Sequence, residues 1–268
     1  MPRTDRTKRS VKPLISISIV SHGDSAYLRT LLQTLARYEE PARIQLLVTD
    51  NLGNDLDPVD PAPWHSLSMF RNNRPAGYAA NHNAALSRAE GDYYCVVNPD
   101  VRFLQGVFSV LIASIRAEEG AITAPLVVDT AGVVQDSFRR LPTPLEMVRR
   151  RLLRSTAVPS VPPDARVLRT DWLAGIFMLM HRDTFARLHG FDARYRLYLE
   201  DVDFCTRAWL NGLASIVNTG VRIQHDARRA SRSPGKYLLW HLQSSLRFFT
   251  SPAYRQARET TDQHEVAL

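Results

Sequence analysis

Residues 14–97 hold four short strand-like runs, three of which end on a polar cluster, and this alternation constrains the fold more than any other feature of the chain. The run 14–20 is β-branched and stops at Ser21-His22-Gly23-Asp24, which reads as a buried strand followed by a turn. Residues 25–38 then place Leu28, Leu31, Leu32 and Leu35 at helical spacing. A second strand over 44–49 ends at Asp50-Asn51, a third covers 66–71, a helix covers 79–89, and a fourth strand, 93–97, stops at Asn98-Pro99-Asp100. Strands that alternate with helices belong to an α/β architecture with a mostly parallel sheet. Ligands of such sheets sit at the carboxyl ends of the strands, where the polar clusters fall.

The remainder is less regular. Between 138 and 169, Arg139, Arg140, Arg149, Arg150, Arg151, Arg154, Arg166 and Arg169 are interrupted by prolines and face only Glu146 and Asp164. A mobile basic loop is expected there, with a short helix over 145–153. A helix over 182–188, another starting near Glu200, strands over 214–217 and 221–223, and an amphipathic helix over 236–249 follow, before a polar tail. The domain boundaries expected are therefore a disordered basic arm at 1–13, a catalytic-type domain at 14–235 and a C-terminal helix and tail at 236–268.

Charge narrows the partners. A net charge of +7 and a pI near 9.7 call for something anionic: nucleic acid, a membrane surface or a phosphorylated substrate. No nucleic-acid-binding motif accompanies the basic residues, so nucleic acid is not expected. Cys95 and Cys205 both lie in apolar stretches and read as buried free thiols, which suits a reducing compartment. The basic N-terminus has no apolar segment behind it, and no run reaches the roughly 18–20 apolar residues that span a bilayer. A cytoplasmic protein is expected, with peripheral contact at a membrane's inner face left open.

Three acidic clusters sit where side chains can converge. Asp100, after an apolar strand, suits a divalent cation on a diphosphate, although Asn98-Pro99-Asp100 is equally good turn chemistry. Glu200-Asp201-Val202-Asp203 opens a helix on which Glu200 and Asp203 share a face, so the cluster is either a cleft wall or a favourable charge at the helix start. In Gln224-His225-Asp226 the histidine is a ligand candidate or a structural residue, and Arg228, Arg229 and Arg232 either clamp phosphate or form a solvated face. The loop 74–83 lacks the G-x-G-x-x-G fingerprint, and neither a phosphate loop of the G-x-x-x-x-G-K-[ST] type nor a G-x-S-x-G elbow occurs, which weakens dehydrogenase, kinase and hydrolase readings.

Taken in order, these clusters resemble the family-2 glycosyltransferases of the GT-A fold, particularly the rhamnosyltransferase-like branch. The resemblance runs from about Ile15 to His225. It is carried by Trp172-Leu173-Ala174-Gly175 through Met180, Gly190-Phe191-Asp192, the stretch Tyr198 to Cys205, and then Arg207, Gly212 and His225. It implies the nucleotide-diphospho-sugar transferase fold, a mixed, mostly parallel central sheet flanked by helices. It also implies an inverting transfer from a dTDP- or UDP-linked sugar to a glycan or polyprenyl-linked acceptor in cell-envelope polysaccharide synthesis, with a divalent metal, Mg or Mn. By the same resemblance Asp201 is the catalytic base and Glu200 orients base or acceptor. Asp50, Gly77, Asn81, Asn98 and Asp100 lie on the donor, with Arg228 or Arg229 assisting at the diphosphate. Trp172 and Gly175 lie on the acceptor side, and Asp100 with His225 holds the metal. Asn51-Leu52-Gly53 departs from the usual Asn-x-Ser, which bears on contacts to the donor base.

L-Rhamnose from dTDP-rhamnose is the donor the branch resemblance favours, with a UDP-hexose or galactofuranose donor as the alternative. A nucleotidyltransferase would need a basic loop after its first strand, and 21–24 contains no lysine or arginine. A non-catalytic sugar-nucleotide binder is disfavoured because Asp100, Asp201 and His225 are all retained. The helix over 236–249, with Tyr237, Leu238, Trp240, Leu242, Leu246, Phe248 and Phe249, is read either as a membrane-surface helix or as one packed on the domain or in a homodimer contact.

Overall fold

Side-chain alternation along the central strands builds the molecule. A computed structural model describes residues 14–53, 56–152, 160–225 and 235–266; the basic arm 1–13 and Arg228, Arg229 and Arg232 lie outside them. Strands β1 (Ile15–Ser21), β2 (Ile44–Asp50), β3 (Ser66–Arg71) and β4 (Tyr93–Val97) pair in parallel in the order β3-β2-β1-β4. On β1, Ile15, Ile17 and Ile19 enter one core with Ile44, Leu46 and Val48 of β2 and Tyr93, Cys95 and Val97 of β4. Leu47, Tyr94 and Val96 enter the other. A period of two thus feeds two apolar layers, and the sheet is covered on both faces. Helices α1 (Ser25–Tyr38) and α3 (Phe108–Ala117) cover the first layer. Helices α2 (Tyr78–Leu86), α5 (Arg182–Arg187) and α6 (Glu200–Leu210) cover the second.

Ser16 and Ser18, two of the polar residues of β1, point into the second layer with partners. Ser16 Oγ donates to Gln45 Oε1 at 2.6 Å and accepts from the amides of Glu90 and Gly91. Ser18 Oγ lies 2.7 Å from His82 Nδ1. Burial holds His82 down at about 3, so it is a neutral core histidine.

Beyond β4 the sheet turns mixed. Strand β10 (Phe177–His181) is antiparallel to β4 and to β6 (Ile122–Val128). Strand β11 (Ser215–His225) is parallel to β6 and antiparallel to both β5 (Val101–Phe103) and β8 (Val167–Thr170). The two strands expected over 214–217 and 221–223 are one. β11 bulges between Asn218, opposite Pro125, and Arg222, opposite Leu126; Pro125 has no N–H to offer the ladder, and the irregularity falls there.

Two further expectations are modified. The basic segment is pinned at both ends: β7 (Phe138–Arg139) pairs with β9 (Trp172–Leu173), and β8 joins the main sheet. Its expected helix is present as α4 (Pro144–Leu152), while residues 153–159 lie outside the described ones. Arg139 is ion-paired to Asp136 and Arg169 to Glu118, so part of the positive charge is neutralised by acids outside the segment. After α7 (Lys236–Phe249) the expected polar tail is a helix, α8 (Pro252–Val266). Ser251 caps it by accepting from Tyr254 N at 3.1 Å, Pro252 takes the first helical position, and Tyr254 and Ala257 are buried. Cys95 and Cys205 are buried and free, as expected.

Candidate functional site

The first corner of the site grows out of the end of β4. Asn98-Pro99-Asp100 turns the chain, with Val101 N bonded to Asn98 O at 3.3 Å, into β5, whose Val101 pairs with His225 at the end of β11. That register sets His225 Nε2 3.3 Å from Asp100 Oδ1. Behind the histidine, Gln135 Nε2 donates to the His225 carbonyl at 2.6 Å, so Gln135 Oε1 is the atom 2.9 Å from Nδ1 and accepts its proton. With Nδ1 turned to Gln135, Nε2 is the ring nitrogen that faces Asp100, whose buried Oδ1 has no hydrogen-bond partner among the described residues. Two lone-pair atoms facing each other, one imidazole nitrogen and one carboxylate oxygen, fit a shared divalent cation. A ligating histidine whose other ring nitrogen is held by a neighbour is a recurrent metal-site device. Among the described residues no group of three or more His, Cys, Asp or Glu gathers, and the ligand candidates described at this corner are this pair.

The second corner is the start of α6. Tyr198 and Leu199 both have left-handed backbone, φ 72° and 66°, which is costly for residues with side chains and turns the chain sharply into Glu200. Asp201 is then fixed by two amides. Its Oδ2 accepts from Gly175 N and its Oδ1 from Val202 N, each at 2.8 Å. Glu200 is 4% exposed and its Oε2 has no partner. Burial pushes both carboxyls up. The two amides hold Asp201 back, whereas the adjacent Asp201 charge pushes Glu200 further up. The arrangement favours an ionised Asp201 beside a protonated Glu200. Asp203, which shares the Glu200 face in the helical spacing, is instead ion-paired to Arg207 at 2.8 Å. Arg207 also donates to the carbonyls of Leu188 and Gly190.

Tyr78 connects the two corners. Its hydroxyl donates to Gly175 O at 2.5 Å, and burial together with the charges of Asp201 and Asp100 keeps it a neutral phenol. A Cβ on Gly175 would lie 2.9 Å from that hydroxyl. Gly77, just before Tyr78, is held against the 192–199 segment, where a Cβ would meet Arg196 O at 2.8 Å. The second corner and, from the first, Asn98 border a cavity of about 720 Å³, lined also by Tyr78, Trp172, Gly175, Leu197 to Val202, Glu146 and Met147 of α4 and His241 of α7. Trp172 is oriented by donating Nε1–H to Arg140 O at 3.1 Å.

The remaining donor-side residues are organised by Asn51, which the sequence placed at the end of the second strand without assigning it a partner. Asn51 Oδ1 accepts from Asn72 Nδ2, Ala76 N and Asn81 Nδ2 at 2.8, 2.9 and 3.1 Å, and its Nδ2 donates to Ala76 O at 3.1 Å. This ties the ends of β2 and β3 to the loop before α2. Asp50 is fully buried, and its Oδ1 accepts from Leu52 N and Gly53 N, shaping the loop beyond β2. The roles of Gln135, 90 residues from His225, and Tyr78 were unforeseen; the Asp50-Asn51 cluster and the loop 74–83 hinted at the asparagine network.

Known proteins resemble the chain in sequence and in fold. The profile described as glycosyl transferase family 2 matches residues 16–177. Rhamnosyltransferase WbbL of Escherichia coli K12 is 30% identical over 250 residues, covering 88% of this chain and 92% of WbbL. An N-acetylglucosaminyl-diphospho-decaprenol L-rhamnosyltransferase of Mycobacterium tuberculosis is 25% identical over 88% of this chain and 83% of its own length. Among solved structures, GalNAc-T7 with UDP, GalNAc and Mn2+ superposes with a TM-score of 0.59 at 16% identity, over 82% of this chain and 44% of that one. The mannosyltransferase PcManGT of Pyrobaculum calidifontis, with GDP-Man and Mn2+, gives 0.55 at 14% identity over 92% and 69%. The sheet, the helices on both its faces and these neighbours make the fold GT-A, and the chain belongs to glycosyl transferase family 2.

Proposed function

We propose that the protein transfers L-rhamnose from dTDP-L-rhamnose to a hydroxyl of a glycan or polyprenyl-linked glycan, with inversion, in cell-envelope polysaccharide synthesis. The observation that carries the transferase chemistry is Asp201, amide-bound and flanked by a buried Glu200 at the wall of the cavity. The sugar and the lipid-linked acceptor are supported by what the two rhamnosyltransferase relatives are named for.

In this reading Asp201 accepts the proton of the acceptor hydroxyl as its oxygen attacks the anomeric carbon. The bond from that carbon to the diphosphate oxygen breaks on the opposite face, and dTDP leaves with the electron pair. A positioned general base contributes roughly 10²–10⁴-fold. The Gly175 and Val202 amides keep the carboxylate ionised and aimed, while Glu200, protonated, accompanies it without adding a second negative charge. Tyr78, Trp172 and Gly175 form the wall against which the acceptor is oriented, and Asp50, Gly77, Asn81 and Asn98 belong to the donor side. Asp100 and His225 would hold a divalent cation, which when bound offsets charge developing on the diphosphate as a Lewis acid. Arg228 or Arg229 would assist there. The basic segment 138–169, through α4 at the cavity, is the candidate lid that keeps water out.

Calorimetric titration of dTDP-rhamnose, UDP-glucose and UDP-galactose, with Mg²⁺ or Mn²⁺ and then with EDTA, tests this. Binding of dTDP-rhamnose that depends on metal and is lost in Asp100→Ala is expected. Selective binding of a UDP-sugar would move the donor to a hexosyl or galactofuranosyl class, and no binding of any donor by the folded protein would sink the transferase reading.

A further inference from the structure

Large apolar side chains left exposed are not spread evenly over the molecule. Among the described residues eleven stand out, and five of them lie on two helices: Leu145 and Val148 of α4, and Leu239, Leu242 and Leu246 of α7. The α7 leucines are 54%, 53% and 69% exposed and recur at i, i+3 and i+7, a single stripe, while the other side of the helix buries Ser244 and Phe248. A helix that serves only to pack on the domain has no use for a second apolar face. Both helices also border the 720 Å³ cavity, α4 through Glu146 and Met147 and α7 through His241.

The surroundings of these side chains are basic. Helix α7 has no acidic residue, and α4 has only Glu146 ahead of three consecutive arginines. Arg247 adjoins Leu246 in the chain and Arg149 adjoins Val148, both exposed. Next to the stripe lies a cleft of about 520 Å³ lined by Arg194, Arg196, Arg247 and Trp240. Arg196 holds its guanidinium 4.7 Å from the centre of the Trp240 ring, and among the described residues Arg194 is the one of the three in an ion pair, with Asp192 at 2.6 Å. Leucines beside the exposed Arg196 and Arg247 and an amphipathic tryptophan match the interface of an anionic bilayer, where tails take the apolar groups and phosphates the guanidiniums. A second copy docked through the same face would set these arginines against each other, which disfavours a self-contact.

We propose that α7, with α4, forms a docking face for an anionic lipid bilayer and that this face brings the mouth of the catalytic cavity to the membrane surface. Its benefit rests on the reading that the acceptor is lipid-linked; the docking itself does not. No helix among the described residues is long and apolar enough to cross a membrane, so the contact is one of lying on the surface.

The full chain is sedimented with vesicles of phosphatidylglycerol and phosphatidylethanolamine, and with phosphatidylcholine alone, at low and high salt. Binding to the anionic vesicles that weakens with salt is expected. Leu239→Ser/Leu242→Ser/Leu246→Ser should bind about tenfold or more weakly while titrating dTDP like the native chain. Arg196→Glu/Arg247→Glu should lose the preference for anionic lipid. The proposal is overturned if native protein ignores the anionic vesicles or if the serine variant binds them equally well. It is also overturned if the leucine changes alter only the oligomeric state seen by light scattering. Failure of dTDP binding in the native protein would strike the proposed function alone and leave the vesicle result standing.

Discussion

Asp201 reaches the cavity with both carboxylate oxygens engaged by amides of its own chain, whereas Asp100 brings an oxygen that no donor of the described residues meets. Around Asp201 the protein has done the electrostatic work in advance: two N–H groups, a helix start and a neighbour whose carboxyl burial pushes up. Around Asp100 the described residues arrange the facing imidazole and the glutamine that turns it. The contrast separates two kinds of chemistry. A proton acceptor must be complete before the acceptor arrives, because its pKa and aim decide the step. A cation or diphosphate site needs open lone pairs, because the missing charge comes with the ligand.

The largest expected effect sharpens the first half of that contrast. Asp201→Asn should lower turnover by roughly 10²–10⁴-fold while leaving dTDP binding within error, since only the base is lost. In the native enzyme the acid limb of kcat/KM should fall as pH drops through the Asp201 pKa, which burial places above the ordinary 3.8. A turnover loss no greater than that of Glu200→Gln would break the assignment of the base to Asp201.

A smaller effect is expected behind the other corner. Gln135→Leu leaves Asp100 and His225 in place but removes the acceptor that fixes Nδ1–H, so the ring is free to present the wrong tautomer or turn. Affinity for Mn²⁺, read by calorimetry in the presence of dTDP, should fall about 10- to 100-fold, with the acid limb of the pH profile unmoved. An unchanged affinity would mean that the histidine is held by its strand alone.

The smallest effect is on stability. Glu200 is raised in the folded state, so the folded protein retains a proton that the unfolded chain releases, and stability falls as pH rises above the unfolded value near 4.5. Glu200→Gln removes that loss. Its melting temperature should exceed the native one by roughly 2–4 °C at neutral pH and approach it below about pH 4. A variant less stable than native at neutral pH would show that the carboxylate is ionised and used.

Legibility in the sequence followed the range of the interactions. β1 to β4 were readable because their short apolar or alternating runs end on polar residues, and α1 because Leu28, Leu31, Leu32 and Leu35 repeat at the helical period. The tail was misjudged because α8 is polar by composition, and its start depends on one serine cap and a proline. At the site, helical spacing grouped Glu200 with Asp203, yet Asp203 answers to Arg207 four residues on, while Asp201 answers to Gly175, 26 residues back. Only resemblance to a family singled out Asp201. Gln135 lies too far along the chain from His225 for any local pattern to join them.

Residues 175 and 176 have one more consequence. The amide of Gly175 holds Asp201, and the carbonyl of Ile176, the very next residue, receives Asn98 N at 2.9 Å, two positions before Asp100. The two corners are therefore gauged from neighbouring peptides at the head of β10, like the jaws of a caliper set on one bar. Thermal drift of that stretch carries both jaws together, so the gap offered to a sugar ring keeps its tolerance even as the walls breathe. Descendants of this enzyme that change donors would be expected to recut the wall side chains and leave the bar alone.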